Sequence, residues 1–397
     1  MPREELRELQ LERMRESLRN AYENVPLYRE RFDAAGVTPD DLESLEDIAK
    51  FPFVVKQDMR DNYPFGMFAR ENADVARIHA SSGTTGQATV VGHTANDLAN
   101  WGDCFARGIA MVGGDENSTI QVYYGYGLFT GGLGAHAGGE AMGCTVIPTS
   151  SGNTKRQVQM LKDCKTDILA CTPSYALYIG ETVRDMGIDP QSLKLRAGVF
   201  GAEPCSENMR QEIADKLGIQ YCDVYGLSEI MGPGVAMECA ERGGLHIAED
   251  QFYCEIIDPE TLEVLPDGEV GELVITTLTR ECSPMIRYRT RDVTTINAEP
   301  CACGRTHRKI GRLLGRTDDM LIIRGVNVFP SQIETVLINM GMPANYQLIV
   351  DRVNNSDTLD IEVEMTPDMF SDTVAQVTNR EKELVSALKS MLGIYAR

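Results

Sequence analysis

The sequence has no long apolar run and few basic residues, and each lack excludes a class of protein. No stretch of the 397 residues approaches the roughly 20 consecutive apolar residues that a membrane-spanning helix needs. Lysine and arginine number 38 against 59 aspartate and glutamate, giving a formal net charge of −21. Because an acidic surface repels a phosphate backbone, general nucleic-acid binding is not indicated. An anionic ligand would need a local basic site.

The N-terminus also lacks the features of a secretion signal. Residues 1–20 are densely charged, whereas a signal peptide has an apolar central segment. We therefore expect a cytoplasmic protein. In that compartment the 11 cysteines are more typical of reduced thiols or metal ligands than of a disulfide framework.

Apolar residues make up 43% of the chain, which is enough for a large core and more than one domain. Between Leu11 and Ala21 they recur every three or four residues, which predicts an amphipathic helix that ends before Pro26. Residues 38–62 carry further helix signals. Between residues 155 and 225, short β-branched or apolar runs alternate with helical stretches, a pattern typical of parallel strands with crossover helices.

The pattern changes near residue 246 to short strands separated by turns. It predicts an antiparallel series of hairpins, in which Asp267-Gly268 is the most explicit turn. After Arg316, strand-like and helix-like segments alternate again and indicate a small α+β domain. The predicted fold class is α/β, with a large domain of mixed sheets and crossover helices over residues 1–317 and a small α+β domain over residues 318–397.

A run of hydroxyl-bearing residues and glycines is the most informative motif. Its residues are Ser81, Ser82, Gly83, Thr84, Thr85 and Gly86. Glycines let backbone N–H groups turn toward one point, and the hydroxyls add donors, so the run predicts a cradle for a polyphosphate. It lacks the Gly-Lys-Ser/Thr of a Walker A loop, and residues 125–132 depart from the dinucleotide spacing G-x-G-x-x-G. An ordinary surface turn is the alternative.

Five motifs in order give the sequence its resemblance to a known superfamily. They are SSGTTG at 81–86, GAEP at 201–204, YGLSE at 225–229, YRTRD at 288–292 and GRTDDMLIIRG at 315–325. Together they resemble the adenylate-forming acyl-CoA synthetases. YENVPLYRERF, YYGYGLFTGGLG and GLSEIMGPG are similar to the phenylacetate-coenzyme A ligase family, and the resemblance covers nearly all of the chain.

This resemblance implies a reaction in two steps. The carboxylate of an aryl acid attacks the α-phosphate of ATP to form an acyl-AMP and pyrophosphate, and the thiol of coenzyme A then displaces AMP. The implied fold is a large adenylate-forming domain joined by a hinge to a small mobile C-terminal domain. Two alternatives stay open, namely an adenylating enzyme that loads a carrier-protein thiol and a nucleotide-binding homologue without catalysis.

The resemblance also implies roles for individual residues. The hydroxyl loop, with Thr84 as a catalytic contact, would hold the β- and γ-phosphates. Glu229 would bind magnesium, although a helix cap is the ordinary role of a glutamate after serine. Tyr225 would stack on adenine and Asp292 would accept hydrogen bonds from the ribose, although an aspartate among arginines is also typical of an ion pair. The other implied nucleotide-binding residues are Gly201, Ala202, Glu203, Pro204, Asp223, Gly226, Ser228 and Arg316.

The motif at 315–325 is implied to serve the second step. Asp318 matches the catalytic hinge of the superfamily, and Gly325 matches the glycine over which the pantetheine of coenzyme A passes. The superfamily carries a lysine near its C-terminus that contacts the α-phosphate, and no lysine here matches it, so we expect the small domain to be truncated. From Arg280 to Arg324, ten basic residues accompany five acidic ones. This excess fits ATP and coenzyme A as well as a solvated basic face.

Cysteine spacing suggests a second metal site. Cys301 and Cys303 form a close pair, and Cys239 and His246 lie upstream in another loop. Three thiolates and an imidazole would make a closed tetrahedral zinc set, which is structural and not catalytic. Because C-x-C is tighter than the usual C-x-x-C, small core residues are the alternative. Some members of the resembled family carry a comparable set, which favours zinc.

The resemblance also indicates an aryl-acid pocket. Its lining would be Tyr126, Phe129, Ala137, Ile230 and Met231. Ordinary core packing is the alternative for these residues. Alanine at position 137 stands where a bulkier aromatic is expected, so we predict a wider slot that admits a ring such as indole. The implied cofactors are ATP, magnesium, coenzyme A and structural zinc, and the implied assembly is a homodimer.

Overall fold

Two compact units make up the structure, which is a computed structural model. It describes residues 1–80, 88–203, 205–318, 321–323, 326–328, 330–343, 345–353, 356–365 and 374–396. The first unit comprises Met1–Glu203 with Gln211–Arg312, and the second comprises Pro204–Arg210 with Leu313–Arg397. Helices and mixed sheets occur together, as the predicted α/β class requires. The boundary predicted between residues 317 and 318 stays a prediction.

Ten α-helices occur in the described ranges. In chain order they are α1 Arg3–Asn24, α2 Pro26–Ala35, α3 Lys56–Asp61, α4 Ala95–Met111, α5 Thr130–Met142, α6 Thr154–Asp163, α7 Pro173–Asp185, α8 Glu207–Leu217, α9 Pro330–Asn339 and α10 Val374–Leu392. Within these ranges, none of the helices has the length and apolar character needed to cross a bilayer.

The first helix confirms its sequence pattern. Met14, Leu18 and Ala21 are fully buried on one face of α1, and the helix stops before Pro26. Pro26 then opens α2, because a proline at the first helical position loses no intrahelical hydrogen bond. The helix signals of residues 38–62 correspond to two 3₁₀ turns, Pro39–Asp41 and Leu45–Lys50, followed by α3.

Twenty strands occur in the same described ranges. They are β1 Arg77–Ala80, β2 Val90–His93, β3 Thr119–Val122, β4 Thr145–Ile147, β5 Ile168–Cys171, β6 Ala197–Phe200, β7 Gln220–Leu227, β8 Gly232–Glu238, β9 Leu245–Ile247, β10 Phe252–Ile257, β11 Val264–Leu265, β12 Gly271–Thr277, β13 Tyr288–Thr294, β14 Ile296–Asn297, β15 Lys309–Ile310, β16 Gly315–Arg316, β17 Leu321–Ile323, β18 Val326–Val328, β19 Tyr346–Val353 and β20 Ser356–Val363.

The main sheet of the first unit changes direction in its middle. Its strand order is β14-β15-β9-β8-β7-β6-β5-β3-β4. Strands β3 to β7 pair in parallel, as the alternation of strands and helices predicts. Every residue of β5 and β6 is buried, which is typical of a parallel sheet covered on both faces. On its other side β7 pairs antiparallel with β8, so β7 belongs to both halves.

A second sheet in the first unit is antiparallel, as predicted from residue 246 onward, and includes the order β11-β10-β12-β13. Gly268 lies in a turn with φ of +98°. The strands on either side of that turn, β11 and β12, are not paired with each other, because both pair with β10. The turn at Asp267-Gly268 therefore lies in a connection that passes from one side of β10 to the other, and it is not a hairpin turn.

Glycines allow α5 to lie close to α4. A Cβ added at Gly134 would come within 2.4 Å of the Trp101 ring, and one at Gly138 within 2.5 Å of Phe105. Both aromatic side chains are fully buried. The glycine-rich run of the sequence thus serves helix packing, and it fixes α5 against the sheet that carries the candidate site.

The second unit has a core of its own. Strands β17 and β18 pair with each other, as do β19 and β20. Ile333 and Leu337 of α9 pack with Leu388 of α10 in one hydrophobic cluster. The predicted strands and helices of this region are present among its described residues, with α9 beginning at Pro330.

Candidate nucleotide-binding site

The YGLSE motif begins in strand β7 and continues into the turn that follows it. Its tyrosine contacts Asp292, another residue predicted to bind the nucleoside. The hydroxyl of Tyr225 donates a hydrogen bond to Oδ2 of Asp292 over 2.6 Å. Both side chains are buried, and Asp292 comes from β13 of the second sheet. Burial and the negative charge of Asp292 hold the pKa of Tyr225 well above its ordinary value, so the phenol stays a donor. Residues 67 positions apart therefore meet.

Glu229 lies in the turn after β7, and its carboxylate is buried. The ammonium of Lys56 is 3.0 Å from its Oε1, and the hydroxyl of Thr89 lies 3.4 Å from the same oxygen. Lys56 begins α3. Lys56 was not predicted from the sequence, because a single lysine after the apolar run at 51–55 carries no spacing signal.

The hydroxyl loop itself lies outside the described residues, and with it the predicted residues Ser81, Ser82, Gly83, Thr84, Thr85 and Gly86. The chain is described up to Ala80 and again from Ala88. Ala80 of β1 pairs with Val90 of β2. Thr89, next to β2, makes the contact with Glu229 given above. The run therefore connects two paired strands, one of which starts beside the Glu229 carboxylate.

Three of the predicted nucleotide-binding residues directly follow β6. A Cβ at Gly201 would lie 2.3 Å from the carbonyl oxygen of Val224, so only glycine allows this approach to β7. Ala202 has a φ of +71°. The carboxylate of Glu203 accepts the N–H of Ser174 at the start of α7. Pro204 lies outside the described residues.

Other predicted residues fix the backbone of β7. The hydroxyl of Tyr221 donates to Oδ1 of Asp223 over 3.0 Å. A Cβ at Gly226 would come within 1.8 Å of a backbone oxygen of β8. The hydroxyl of Ser228 lies 3.0 Å from that of Thr130, the first residue of α5. These contacts fix the YGLSE motif to strand β8 and to the start of helix α5.

The predicted pocket residues fall in two groups that this Thr130 contact links. Tyr126, Phe129 and Ala137 lie on or just before α5, and Phe129 is 48% exposed. Ile230 and Met231 follow Glu229 and are buried in the hydrophobic core. Whether they line a pocket stays a prediction.

Tyr126 is held by a chain of polar groups. Its hydroxyl lies 3.2 Å from Nδ1 of His136, and Nε2 of His136 lies 3.1 Å from Oε1 of Glu140. Burial, and then the charge of Glu140, raise the pKa of Tyr126 to about 12. The phenol is therefore neutral at physiological pH.

The four predicted zinc ligands come together. One ligand atom from each of Cys239, His246, Cys301 and Cys303 lies within 4.8 Å of all the others. The sulfur atoms of Cys239 and Cys301 are 3.7 Å apart, and Cys303 Sγ lies 3.4 Å from His246 Nε2. In a tetrahedron with Zn–S bonds of about 2.3 Å, sulfur atoms are about 3.8 Å apart. The donor set therefore fits zinc in number, kind and spacing.

Groups around the cluster favour metal binding. Nδ1 of His246 lies 3.2 Å from the carbonyl oxygen of His307, which directs Nε2 toward the sulfur atoms. Burial lowers the pKa of His246, so the ring is neutral. Burial opposes ionisation of Cys303, but hydrogen bonds from Arg305, and then from Cys301 and Cys239, outweigh it and lower the pKa of that thiol to about 7.

The predicted hinge residue belongs to the second unit. Arg316 donates two hydrogen bonds of 2.8 Å to the carboxylate of Asp318. Gly325 lies outside the described residues. The roles of Arg316, Asp318 and Gly325 stay predictions.

Comparison with known proteins gives the class first. Residues 23–279 match the family model described as AMP-binding enzyme, and residues 325–397 match the AMP-binding enzyme C-terminal domain. The chain therefore belongs to the AMP-binding enzymes.

Individual proteins that are similar to this chain place it in one family within that class. The phenylacetate-coenzyme A ligase of Pseudomonas putida is 53% identical over 98% of this chain and 88% of the relative, and that of Escherichia coli strain K12 is 52% identical over 98% and 90%. A crystal structure of 2-hydroxyisobutyryl-CoA ligase in complex with R3-HIB-AMP matches with a TM-score of 0.91 and 28% identity, over 100% of this chain and 86% of that one. This chain belongs to the phenylacetate-coenzyme A ligase family, which confirms the resemblance found in the sequence.

Proposed function

We propose that the protein ligates an aryl acid, phenylacetate or a related arylacetate, to coenzyme A at the expense of ATP. The acid first forms an acyl-AMP and releases pyrophosphate, and the thiol then displaces AMP. The observation that carries this proposal is the identity of about half of all residues with phenylacetate-coenzyme A ligases along nearly the whole chain. The chemistry is an acid–thiol ligation, in which activation as a mixed anhydride overcomes the low electrophilicity of a carboxylate.

The nucleotide is held by the residues at the end of β7 and their neighbours. Asp292 accepts hydrogen bonds from the ribose hydroxyls, and Tyr225 stacks on the adenine. Support comes from the hydrogen bond between these two side chains, which fixes the direction of the carboxylate before ATP arrives. The hydroxyl loop around Thr84 holds the phosphates, and its described neighbour Thr89 lies beside Glu229.

Magnesium is the metal that the nucleotide brings to the site. Glu229 supplies a hard, anionic oxygen, which is the donor that Mg²⁺ prefers when it also binds phosphates. The residues fit, because the buried carboxylate of Glu229 lies beside Thr89, the described residue near the hydroxyl loop. Among the described residues Lys56 is its ion-pair partner, at 3.0 Å. Magnesium would supply neutralisation of phosphate charge.

Zinc is the second metal, and its role is structural. Three thiols and one imidazole close the coordination sphere, so no position remains for a substrate. The metal would join the end of β8 and strand β9 to the loop that contains Cys301 and Cys303. Elemental analysis of the purified protein checks this, and a preparation without zinc would contradict it.

The acyl slot accepts a flat apolar ring. Ala137 on α5 leaves room for a ring larger than phenyl, such as indole. We expect indoleacetate to support ATP–pyrophosphate exchange at a rate comparable to that of phenylacetate. A strong preference for phenylacetate would contradict the wide slot without contradicting the ligase activity.

The second half-reaction uses the small domain. Asp318 serves as the hinge, Arg316 contacts the ribose, and Gly325 lines the passage for pantetheine, with the domain boundary near residue 318. A cytoplasmic homodimer completes the proposal, which sedimentation of the purified protein and fractionation of its native cells check.

Two measurements test the main proposal. Aryl-acid-dependent exchange of labelled pyrophosphate into ATP reports the first step, and AMP release that requires free coenzyme A reports the second. Exchange followed by acyl transfer only to a carrier protein would favour the carrier-loading alternative. Nucleotide binding without any exchange would favour the non-catalytic one.

A further inference from the structure

Arg280 is a buried cation that contacts backbone oxygens of two segments of the proposed ATP site. Its side chain donates to the carbonyl oxygen of Glu229 over 2.7 Å and to that of Ile230. It also donates to the carbonyl oxygen of Gly92 in β2 over 3.4 Å. One guanidinium therefore connects the turn that carries the proposed magnesium ligand to the strand that follows the hydroxyl loop.

The contacts of Arg280 differ from those of an ordinary structural arginine. Arg287 is also buried, and it pairs with the carboxylate of Glu255 through two nitrogens. Arg280 forms no ion pair with any carboxylate among the described residues, and its Nε there has no partner. Burial lowers its pKa, although an arginine stays charged at physiological pH. The negative charges of Asp97 and Glu229 act on the guanidinium through space, while carbonyl oxygens and not carboxylates accept its hydrogen bonds.

The backbone around Arg280 is itself held in place. Asp97, in the first turn of α4, accepts the N–H groups of Glu281 over 2.7 Å and Cys282 over 3.1 Å. The hydroxyl of Ser283 accepts the N–H of Gly92 over 3.1 Å. Both polar groups of the Gly92 peptide backbone are thus bound by the segment 280–283.

Gly92 is glycine because that segment lies so close. A Cβ at this position would fall 2.5 Å from the sulfur of Cys282 and 2.7 Å from the ring of Phe68. The strand cannot move away from the segment without breaking two hydrogen bonds, nor toward it without a clash. Segment 280–283 therefore sets the position of β2. Arg280, which also donates to the carbonyl oxygen of Glu229, fixes residue 229 relative to that strand.

We propose that Arg280 is a positioning residue for the ligation, which fixes the turn that carries Glu229 relative to β2, the strand that follows the hydroxyl loop in the chain. It acts through the backbone and touches neither nucleotide nor metal. The inference rests on the proposed function, because it concerns the same ATP and magnesium. Replacing Arg280 should therefore weaken ATP binding in the presence of magnesium and leave ATP binding without magnesium nearly unchanged.

The test is calorimetric titration of ATP without aryl acid, in magnesium and in EDTA, on the wild type and on Arg280→Lys. Lysine keeps the positive charge, but it lacks the branched guanidinium that donates to three carbonyl oxygens at once. We expect the Kd in magnesium to rise about tenfold, as for the loss of charged hydrogen bonds. The Kd in EDTA should change by less than about twofold. Exchange activity should be regained in part at higher magnesium.

Arg287→Lys is the matched control, because it alters a buried arginine outside the proposed ATP site. It should lower thermal stability by a similar amount and leave both Kd values unchanged. Equal rises in magnesium and in EDTA for Arg280→Lys, no rise at all, or the same rise for Arg287→Lys would overturn the inference. A wild type that shows no aryl-acid-dependent pyrophosphate exchange would instead defeat the proposed function.

Ser283→Ala serves if Arg280→Lys does not fold. It removes only the hydroxyl that accepts the Gly92 N–H, so the expected rise of the Kd in magnesium is about threefold. An unchanged Kd in a folded Ser283→Ala protein would count against segment 280–283 as the part that sets the position of β2.

Discussion

The first unit contains two places suited to metals, and they are built in opposite ways. At the Cys239 cluster four protein donors already lie within 4.8 Å of one another. At Glu229 a single carboxylate faces a lysine, and the other described contact is a hydroxyl. The first place is complete without a substrate, whereas the second needs oxygens from phosphates and water.

Under the proposed function, this difference separates a metal that would belong to the fold from one that would belong to the reaction. A closed set of soft donors binds zinc tightly and contributes to folding. An open, hard donor binds magnesium mainly as part of its nucleotide complex. Changes at the two places should therefore separate stability from turnover, and the following predictions test that separation.

Replacing the open donor should give the largest effect. We expect Glu229→Gln to slow ATP–pyrophosphate exchange by about 10²- to 10³-fold, because preorganised charge beside phosphates is worth about 3–4 kcal/mol. Melting temperature and zinc content should not change. Glu255→Gln, which alters a buried carboxylate outside the proposed site, should lower stability and keep the exchange rate. Equal losses of exchange in the two variants would remove the distinction.

Breaking the closed donor set should act on stability. We expect Cys303→Ser to lose the zinc and to destabilise the protein by about 3 kcal/mol, since loss of a metal belongs to the largest mutational effects. Metal analysis and chemical denaturation measure both. Cys164→Ser is the control, because Cys164 is an exposed free cysteine. A zinc-free variant as stable as the wild type would contradict a structural role.

A third variant concerns nucleotide affinity alone. Asp292→Asn keeps the shape of the side chain but removes the charge that would accept the ribose hydroxyls. We expect KM for ATP to rise about tenfold, or roughly 1.5 kcal/mol, with a smaller change in kcat. Steady-state kinetics with varied ATP give both constants. A drop in kcat alone would mean that Asp292 acts on the transition state and not on ribose binding.

The smallest effect should come from Tyr225→Phe. It removes the 2.6 Å hydrogen bond to Asp292, worth about 1 kcal/mol, and should raise KM for ATP a few-fold. In the Asp292→Asn background the same change should cost much less, because its partner no longer carries a charge. Additive effects in this double-mutant cycle would show that the hydrogen bond does not position the carboxylate.

Local patterns predicted most of the elements, and long-range contacts were the part that the sequence could not supply. The spacing of Met14, Leu18 and Ala21 indicated α1, and the alternation before residue 225 indicated the parallel strands, because both depend on neighbours in the chain. The order of motifs indicated that residues 225–229 and 288–292 belong to one site. Their resemblance to a family carried that inference, since no periodicity relates Tyr225 to Asp292.

Lys56 and Arg280 show the limit clearly. Each is one basic residue among many, and its importance comes from a carboxylate or carbonyl more than 50 positions away in the sequence. The turn at Asp267-Gly268 failed as a hairpin for the same reason, because a turn motif gives the local geometry and not the partner of the next strand. Prediction was reliable where the interactions that determine the structure join residues only a few positions apart in the sequence.

Strand β7 is bonded in parallel to β6 through residues 220–223 and antiparallel to β8 through residues 224–227, with a register shift at Tyr225/Gly226. Insertion or deletion of a single residue there would break both ladders at once and turn the following side chains to the opposite face of the sheet. Length is thus constrained more strictly than identity along this strand. Substitutions in β7 can be explored one by one, but indels should be absent from any library of active variants.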